Sequence, residues 1–255
     1  MDFKYLILST EGRVATLTIN RPEKGNALSP SVLEEITLAF NSLNERQDIN
    51  VIVLTGGEKY FSAGFDLNEI RKIEKISNEE YIELFHRAYR AIMFCQQPVI
   101  CAVGGLAIAG GFDLSLMCDI RYASEKAKFG QREILLSLTP VLDPLWRIIG
   151  LGRAREVTLT GRIYDALEAE KMGYVSKIFP EGKLLDSVNE IAQNMAGYDR
   201  RCLVETKQLS NRVLNEDLES SMQIQKWLFR SFMGSEDNHK RIDELQKKLI
   251  SGCRR

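Results

Sequence analysis

The chain is predicted to fold as an α/β protein around a parallel sheet. Two observations carry this: runs rich in apolar and β-branched residues alternate with stretches of helical apolar period, and short glycine-bearing connections join them. Val51-Ile52-Val53-Leu54-Thr55 and residues 98–103 are almost unbroken apolar runs, as expected of strands covered on both faces. Gly56-Gly57 and Gly104-Gly105 end them. Ligands of such sheets bind beyond the carboxyl ends of the strands, which is where these glycines lie.

Taken in order, residues 5–9 and 14–20 are β-rich and flank Thr10-Glu11-Gly12-Arg13, so they read as a hairpin. A loop follows over residues 20–26. Ser29-Pro30 then supplies a helix N-cap with proline at the first helical position, and Leu33, Ile36, Phe40 and Leu43 recur behind it at helical spacing. Beyond the strand at 51–55, Ile82, Phe85, Tyr89 and Ile92 mark a second helix. After the strand at 98–103 come a helix over 111–117 and a strand over 119–123. From about Gly152 the pattern is helical with one β-like run at 174–179, and the last sixty residues read as helices only, with Ile242, Leu245 and Leu249 as an apolar stripe. A boundary at Ala196-Gly197-Tyr198 divides a main unit, 1–196, from a C-terminal helical region, 197–255.

Bulk properties bound the function. A length of 255 residues with 44% hydrophobic content suffices for one large core with an appendage. Net charge −1 gives no general attraction to nucleic acid. The basic residues Lys240, Arg241, Lys247, Lys248, Arg254 and Arg255 read as a solvated helix face that could meet a phosphorylated ligand. No run reaches the ~18 apolar residues of a membrane span and the start lacks a signal core, so the expectation is a soluble, cytoplasmic protein. Five cysteines without CxxC spacing argue for buried thiols, with Cys253 exposed, rather than disulfides or zinc.

Chemistry concentrates in two glycine loops and two acids. A helix starting near Gly110 would leave its first N–H groups unpaired, able to donate to an oxygen gaining negative charge. The loop at residues 60–67, with Gly64 among small residues, offers a second such donor, and an oxyanion hole needs two that converge. Asp113 lies three residues after Gly110, on the same face, where the helix dipole alone would also favour it. Glu133, flanked by Phe129 and by Ile134-Leu135-Leu136, is a candidate for partial burial, which would raise its pKa toward neutrality. The two histidines, His86 and His239, lie in polar helical patterns and read as surface or interface residues. GxSxG, GxxxxGK[ST] and GxGxxG sequences are absent, as is metal-ligand spacing.

The ordered motifs Asn20-Arg21-Pro22, Asn26-Ala27-Leu28, Phe61-Ser62-Ala63-Gly64-Phe65-Asp66-Leu67, residues 105–113, Cys118-Asp119 and Phe129-Gly130-Gln131-Arg132-Glu133 strongly resemble the crotonase (enoyl-CoA hydratase/isomerase) superfamily. Leu159-Thr160-Gly161-Arg162 and Gly173-Tyr174-Val175 continue the likeness, which spans almost the whole chain. The resemblance implies a ClpP/crotonase fold of repeated ββα units, with the C-terminal helical region serving as an oligomerisation or lid element in a homotrimer or homohexamer. It implies an acyl-CoA thioester substrate, with CoA part of that substrate and no further cofactor or metal. The oxyanion amides map onto Phe65 and Gly110, and the catalytic acids onto Asp113 and Glu133. CoA would run along Lys24 and Gly25 and along Ala63, Gly64, Phe65, Asp66 and Leu67, passing Gly110.

For hydration of a 2-enoyl-CoA the implied roles are a Glu133 that deprotonates the incoming water and an Asp113 that orients it. The alternative is double-bond isomerisation by Glu133 with Asp113 or Asp143, and from another class a catalytically weak acyl-CoA-binding or scaffold subunit. Two departures bear on this choice. The family's common hydratase carries glutamate where Asp113 stands, so the carboxylate is withdrawn by about 1.5 Å. The glycine-rich turn after the second acid, PGxGG, is here replaced by Pro140-Val141-Leu142-Asp143-Pro144-Leu145-Trp146-Arg147. Phe65, Phe112, Leu142 and Trp146 are expected to set the width of the acyl pocket.

Overall fold

The expected hairpin forms from β1 (Leu6–Glu11) and β2 (Val14–Ile19), paired antiparallel, in a computed structural model that describes residues 2–73, 78–213 and 215–252, the side chains of 248–252 excepted. Strands β3 (Val51–Thr55), β5 (Val99–Val103), β7 (Ile120–Ser124) and β10 (Lys177–Phe179) join β2 in parallel, giving one sheet in the order β1-β2-β3-β5-β7-β10. Strand period decides what each face buries. Ile52 and Leu54 of β3 and Cys101 and Val103 of β5 enter the larger core, whereas Val51, Val53, Ile100 and Ala102 turn to the other face and pack on Leu184, Val188 and Ala192 of helix α8 (Leu184–Ala196).

Helix α1 (Pro30–Glu45) starts as its sequence dictates. The Ser29 hydroxyl accepts from Val32 N–H at 3.4 Å, Pro30 fills the first turn, and Val32, Leu33, Ile36, Ala39, Phe40 and Leu43 are buried. It packs beside α3 (Asn78–Met93) over the larger core.

A second sheet, less visible in the sequence, runs β4 (Tyr60–Ser62), β6 (Leu106–Ile108), β8 (Lys128–Gly130) and β9 (Tyr164–Asp165). The chain passes from β3 to β4, from β5 to β6 and from β7 to β8, so each of these three strands of the first sheet is followed by a short one of the second. These are the repeated ββα units. Gly105, at one of these crossings, could carry no side chain: a Cβ there would fall 2.1 Å from the Lys59 carbonyl oxygen. Helices α2 (Leu67–Ile70), α4 (Gly110–Leu116), α5 (Leu145–Ile149), α6 (Leu151–Thr160) and α7 (Ala166–Lys171) complete this part. The β-like run at 174–179 is shorter than its pattern predicts. Only Lys177–Phe179 is strand, and Tyr174 and Val175 are core residues ahead of it.

This compact unit ends at Gly197 and a second begins at Tyr198. The second consists, over its described residues, of α9 (Arg200–Val213), α10 (Leu218–Phe232) and α11 (Glu236–Gly252). Ile242 and Leu245 of the expected stripe are exposed, while the Leu249 and Lys248 side chains, Cys253, Arg254 and Arg255 lie outside the described residues. No helix among the described residues is long and apolar enough to cross a membrane.

Candidate active site

Backbone packing brings the two glycine loops together. Leu28 forms a parallel bridge with Phe65: Leu28 N–H donates to Gly64 O at 2.7 Å and Asp66 N–H to Leu28 O at 3.4 Å. The N–H of Phe65 therefore points to the side of the chain away from Leu28. Gly64, at φ +82°, faces the start of α4, where a Cβ would lie 2.6 Å from Ile108 O and 3.0 Å from the Gly110 nitrogen. A glycine is required on both counts. Gly110 is the first residue of α4, so its N–H has no carbonyl one turn earlier to bind. Ala109, just before it, holds φ +50° and ψ −130°, a conformation L-residues rarely adopt and one that surrounding packing must enforce.

That enforcement is visible at both ends of α4. Asn26 Nδ2 donates to the carbonyls of Gly56 (2.8 Å) and Tyr60 (2.9 Å), and Ser62 Oγ donates to Asn26 O (2.8 Å), fixing the loop that leads to Phe65. At the far end, buried Arg121 donates to the carbonyls of Cys118 (2.6 Å) and Tyr174 (2.8 Å), placing a cation where the helix leaves its last carbonyls unpaired. The Tyr174 ring stacks on Phe112 at 4.5 Å.

The two acids meet in the same region. Asp113, in the first turn of α4, is 1% exposed and accepts from Gln131 Nε2 at 2.8 Å and from Tyr89 Oη at 3.1 Å. Glu133, at the start of a 3-10 turn after β8, is 2% exposed, and no side chain among the described residues bonds to either carboxyl oxygen. Burial pushes Glu133 up to about 7. Asp113 is raised well above the usual carboxylate range, first by burial and then by the charge of Glu133, against the opposing bonds from Gln131 and Tyr89. Two buried carboxyls that repel each other's charge keep a proton between them at neutral pH. Tyr89 is held protonated, raised well above the usual phenol value by burial and then by Asp113.

Phe65 is shared by two cavities. One, of ≈ 470 Å³, is lined by Lys24, Ala63, Asp66, Leu67 and Arg132 among others. The other, of ≈ 610 Å³, holds both Asp113 and Glu133 and is otherwise mostly apolar.

Residues 9–249 match the profile described as enoyl-CoA hydratase/isomerase. The chain is 34% identical over 240 residues to a probable enoyl-CoA hydratase of Rhizobium meliloti, covering 93% of each chain. It is 32% identical to the short-chain-enoyl-CoA hydratase of Clostridium acetobutylicum, covering 99% of this chain and 98% of that one. Among solved structures, an enoyl-CoA hydratase from Bacillus anthracis superposes with a TM-score of 0.92 at 30% identity, covering 96% of this chain and 97% of the other. The chain belongs to the enoyl-CoA hydratase/isomerase family.

Within this crotonase fold the remaining expected residues separate into lining and scaffold. Lys24, Ala63, Phe65, Asp66 and Leu67 line the first cavity. Gly25 supports it from behind, its carbonyl accepting from Ala63 N–H at 2.8 Å. The Asp66 carboxylate is committed to Arg21 (2.8 Å) and to the cap of α2 through Asn68 N–H (3.1 Å). Asp143, considered as a third acid, lines neither cavity. It is exposed, forks onto Arg147 at 2.9 to 3.1 Å, and is held below the usual carboxylate value by that guanidinium. Nor do Leu142, Trp146 and Phe112 set the pocket width. Phe112 is buried against Tyr174, and Trp146 lies under the Arg147 guanidinium at 4.6 Å. The walls come instead from α3, where Tyr81, Phe85 and Tyr89 follow one another at four-residue spacing. His86 is exposed, at the rim of the acid-bearing cavity.

Three residues with a part in the site escaped sequence reasoning. Tyr89 was legible only as part of an apolar stripe, although Tyr81-x3-Phe85-x3-Tyr89 places two hydroxyls on one helix face. Gln131 was a letter of a motif and proves to be the donor to Asp113. Arg132, beside Glu133, lines the first cavity with Lys24.

Proposed function

We propose that this chain adds water across the C2=C3 bond of 2-enoyl-CoA thioesters. The observation that carries the reading is Glu133: a buried carboxyl bonded to no side chain among the described residues, near neutral pKa, in a cavity that begins at the Phe65 loop. The Phe65 and Gly110 amides donate to the thioester oxygen, whose charge grows as water attacks C3. Each donor of this kind contributes on the order of 3 kcal/mol to the transition state. Ionised Glu133 takes a proton from the water as its oxygen bonds to C3 and the C2=C3 π pair moves into the enolate; the Glu133 carboxyl then gives that proton to C2, which restores the thioester carbonyl and the ionised Glu133. Asp113, kept neutral by burial and by Glu133, donates to that water and orients it. CoA lies along Lys24 and Ala63 to Leu67 as part of the substrate, with no other cofactor required.

Assembly as a homotrimer or homohexamer through the C-terminal helices fits the apolar residues these carry on their surface, such as Leu218, Met222, Phe229 and Met233 of residues 198–252, with Trp227 at 65% exposure. Cytoplasmic residence fits the buried Cys101 and Cys118, which form no disulfide.

The test offers 2-enoyl- and 3-enoyl-CoA to the purified protein and follows loss of the conjugated-thioester absorbance. Hydration of the 2-enoyl substrate is expected, and Glu133→Gln should lower it at least 100-fold (about 2.7 kcal/mol) while acyl-CoA affinity stays within a few-fold. Rapid conversion of 3-enoyl to 2-enoyl without water addition would assign isomerisation instead. Binding without turnover of either substrate would leave an acyl-CoA-binding or scaffold subunit.

A further inference from the structure

The two cavities that meet at Phe65 differ in chemistry, and the difference orients a thioester between them. One carries the cations Lys24 and Arg132 beside an Asp66 already paired with Arg21, the other the acids Asp113 and Glu133. With the carbonyl oxygen at the Phe65 and Gly110 amides, C2 and C3 must face Glu133, so the rest of the acyl chain continues into the acid-bearing cavity. That orientation is the one point where the inference rests on the proposed reaction.

The space available there, ≈ 610 Å³, is large for a short acyl group. If a methylene is taken as the size of a water molecule in the liquid, roughly 30 Å³, a four-carbon acyl group places about three carbons, on the order of 90 Å³, past the carbonyl. The remainder would be water against walls ill suited to it. Phe65 and Phe85 stand edge to face at 4.8 Å, Tyr81 and Phe85 at 5.3 Å, and Phe85 and Tyr89 at 6.0 Å. Ile82 and Leu138, which also line the cavity, are 49% and 41% exposed. Contiguous apolar surface of this kind, closed at one end by a few polar groups, is the character of a site for an apolar ligand.

We infer that the preferred substrate carries a linear acyl chain of medium length, about eight to twelve carbons. Such a chain places roughly 210–330 Å³ beyond the carbonyl, a third to a half of the cavity, and leaves its open mouth to solvent. Each added methylene that leaves water strengthens binding about fourfold when fully buried, so partial burial from four carbons to eight gives at least tenfold.

Titration calorimetry with saturated butyryl-, octanoyl-, dodecanoyl- and palmitoyl-CoA tests this without any turnover. Affinity should tighten at least tenfold from four carbons to eight and level off beyond about twelve. Butyryl-CoA binding within twofold of octanoyl-CoA, or more tightly, overturns the inference. Ile82→Trp, which narrows the cavity at an exposed position, should lower the dodecanoyl-to-butyryl affinity ratio at least fivefold; an unchanged ratio would mean that the chain does not pass Ile82 and would also overturn it. In turnover, kcat/KM for 2-enoyl-CoA should peak in the same range, and a peak at four carbons would count against the assignment. Affinity that rises with chain length in a protein that adds no water to any 2-enoyl-CoA would uphold the chain-length inference and remove the hydratase reading.

Discussion

Tyr89→Phe isolates one hydrogen bond in the acid pair. The substitution removes only the hydroxyl that donates to Asp113 at 3.1 Å and keeps the ring in its edge-to-face contact with Phe85, so the fold should be retained. The donor stabilises ionised Asp113 more than neutral Asp113. A hydrogen bond to a charged group is worth about 1.5–3 kcal/mol and one between neutral groups about 0.5–1.5 kcal/mol, a difference of about 1–1.5 kcal/mol. At 1.36 kcal/mol per unit, loss of the hydroxyl raises the Asp113 pKa further by about one unit. In the proposed reaction ionised Glu133 and neutral Asp113 are the active forms, so kcat/KM should rise with pH through about 7 and fall again as Asp113 loses its proton. In the variant the upper limb should move about one pH unit higher, with the lower limb within about 0.3 units of its original place. The assay is the pH profile of kcat/KM from absorbance loss of a 2-enoyl-CoA, with the melting temperature as control. An upper limb that stays put or moves to lower pH would refute the assignment of neutral Asp113 as the water-orienting group. Equal movement of both limbs would show that Tyr89 acts on the pair as a unit.

Gly111→Ala places a Cβ 2.2 Å from the Ser62 carbonyl oxygen, which forces α4 away from the loop that carries Phe65. Overpacking of this kind costs about 1–3 kcal/mol, and the melting temperature should fall by about 2–4 °C per kcal/mol together with kcat, whereas an unchanged melting curve would mean the two loops are not in register as described. Asp143→Asn breaks an exposed ion pair of the kind worth at most about 1 kcal/mol, so turnover should stay within threefold; a tenfold loss would return Asp143 to the chemistry.

How much of this was legible in the sequence depended on element length. The six-stranded sheet announced itself because β3 and β5 bury both faces and read as unbroken apolar runs. The second sheet did not, because β4, β6 and β8 are three residues each and show no period that distinguishes them from loop. The loops that carry Phe65 and Gly110 were marked by glycines, since close backbone approach leaves a compositional mark, while the choice of those two amides came from the family resemblance. Tyr89 left none of that kind. A tyrosine in an apolar stripe is ordinary core, and only the arrival of α4 from later in the chain turns its hydroxyl toward Asp113. The pocket width was misassigned for the same reason: Leu142 and Trp146 are near Glu133 in sequence, but the chain carries them outward after Val141.

The site separates two kinds of control. The Phe65 and Gly110 amides, proposed as the oxyanion donors, are placed by main-chain contacts, including the Leu28–Phe65 bridge and the close approach of Gly64 and Gly111, with the Asn26 and Ser62 side chains bracing the loop. The acids differ. Asp113 is held by the side chains of Gln131 and Tyr89, whereas no side chain among the described residues bonds to Glu133. In the proposed reaction, enolate stabilisation would therefore come from the backbone, while the choice of where a proton goes would be set by a few substitutable groups. This explains how an aspartate can stand where the common hydratase has glutamate. The shorter side chain sets the carboxyl about 1.5 Å further back, but bonds from Gln131 and Tyr89 fix both of its oxygens there, and burial, then repulsion from Glu133, keeps it protonated and able to donate toward the cavity.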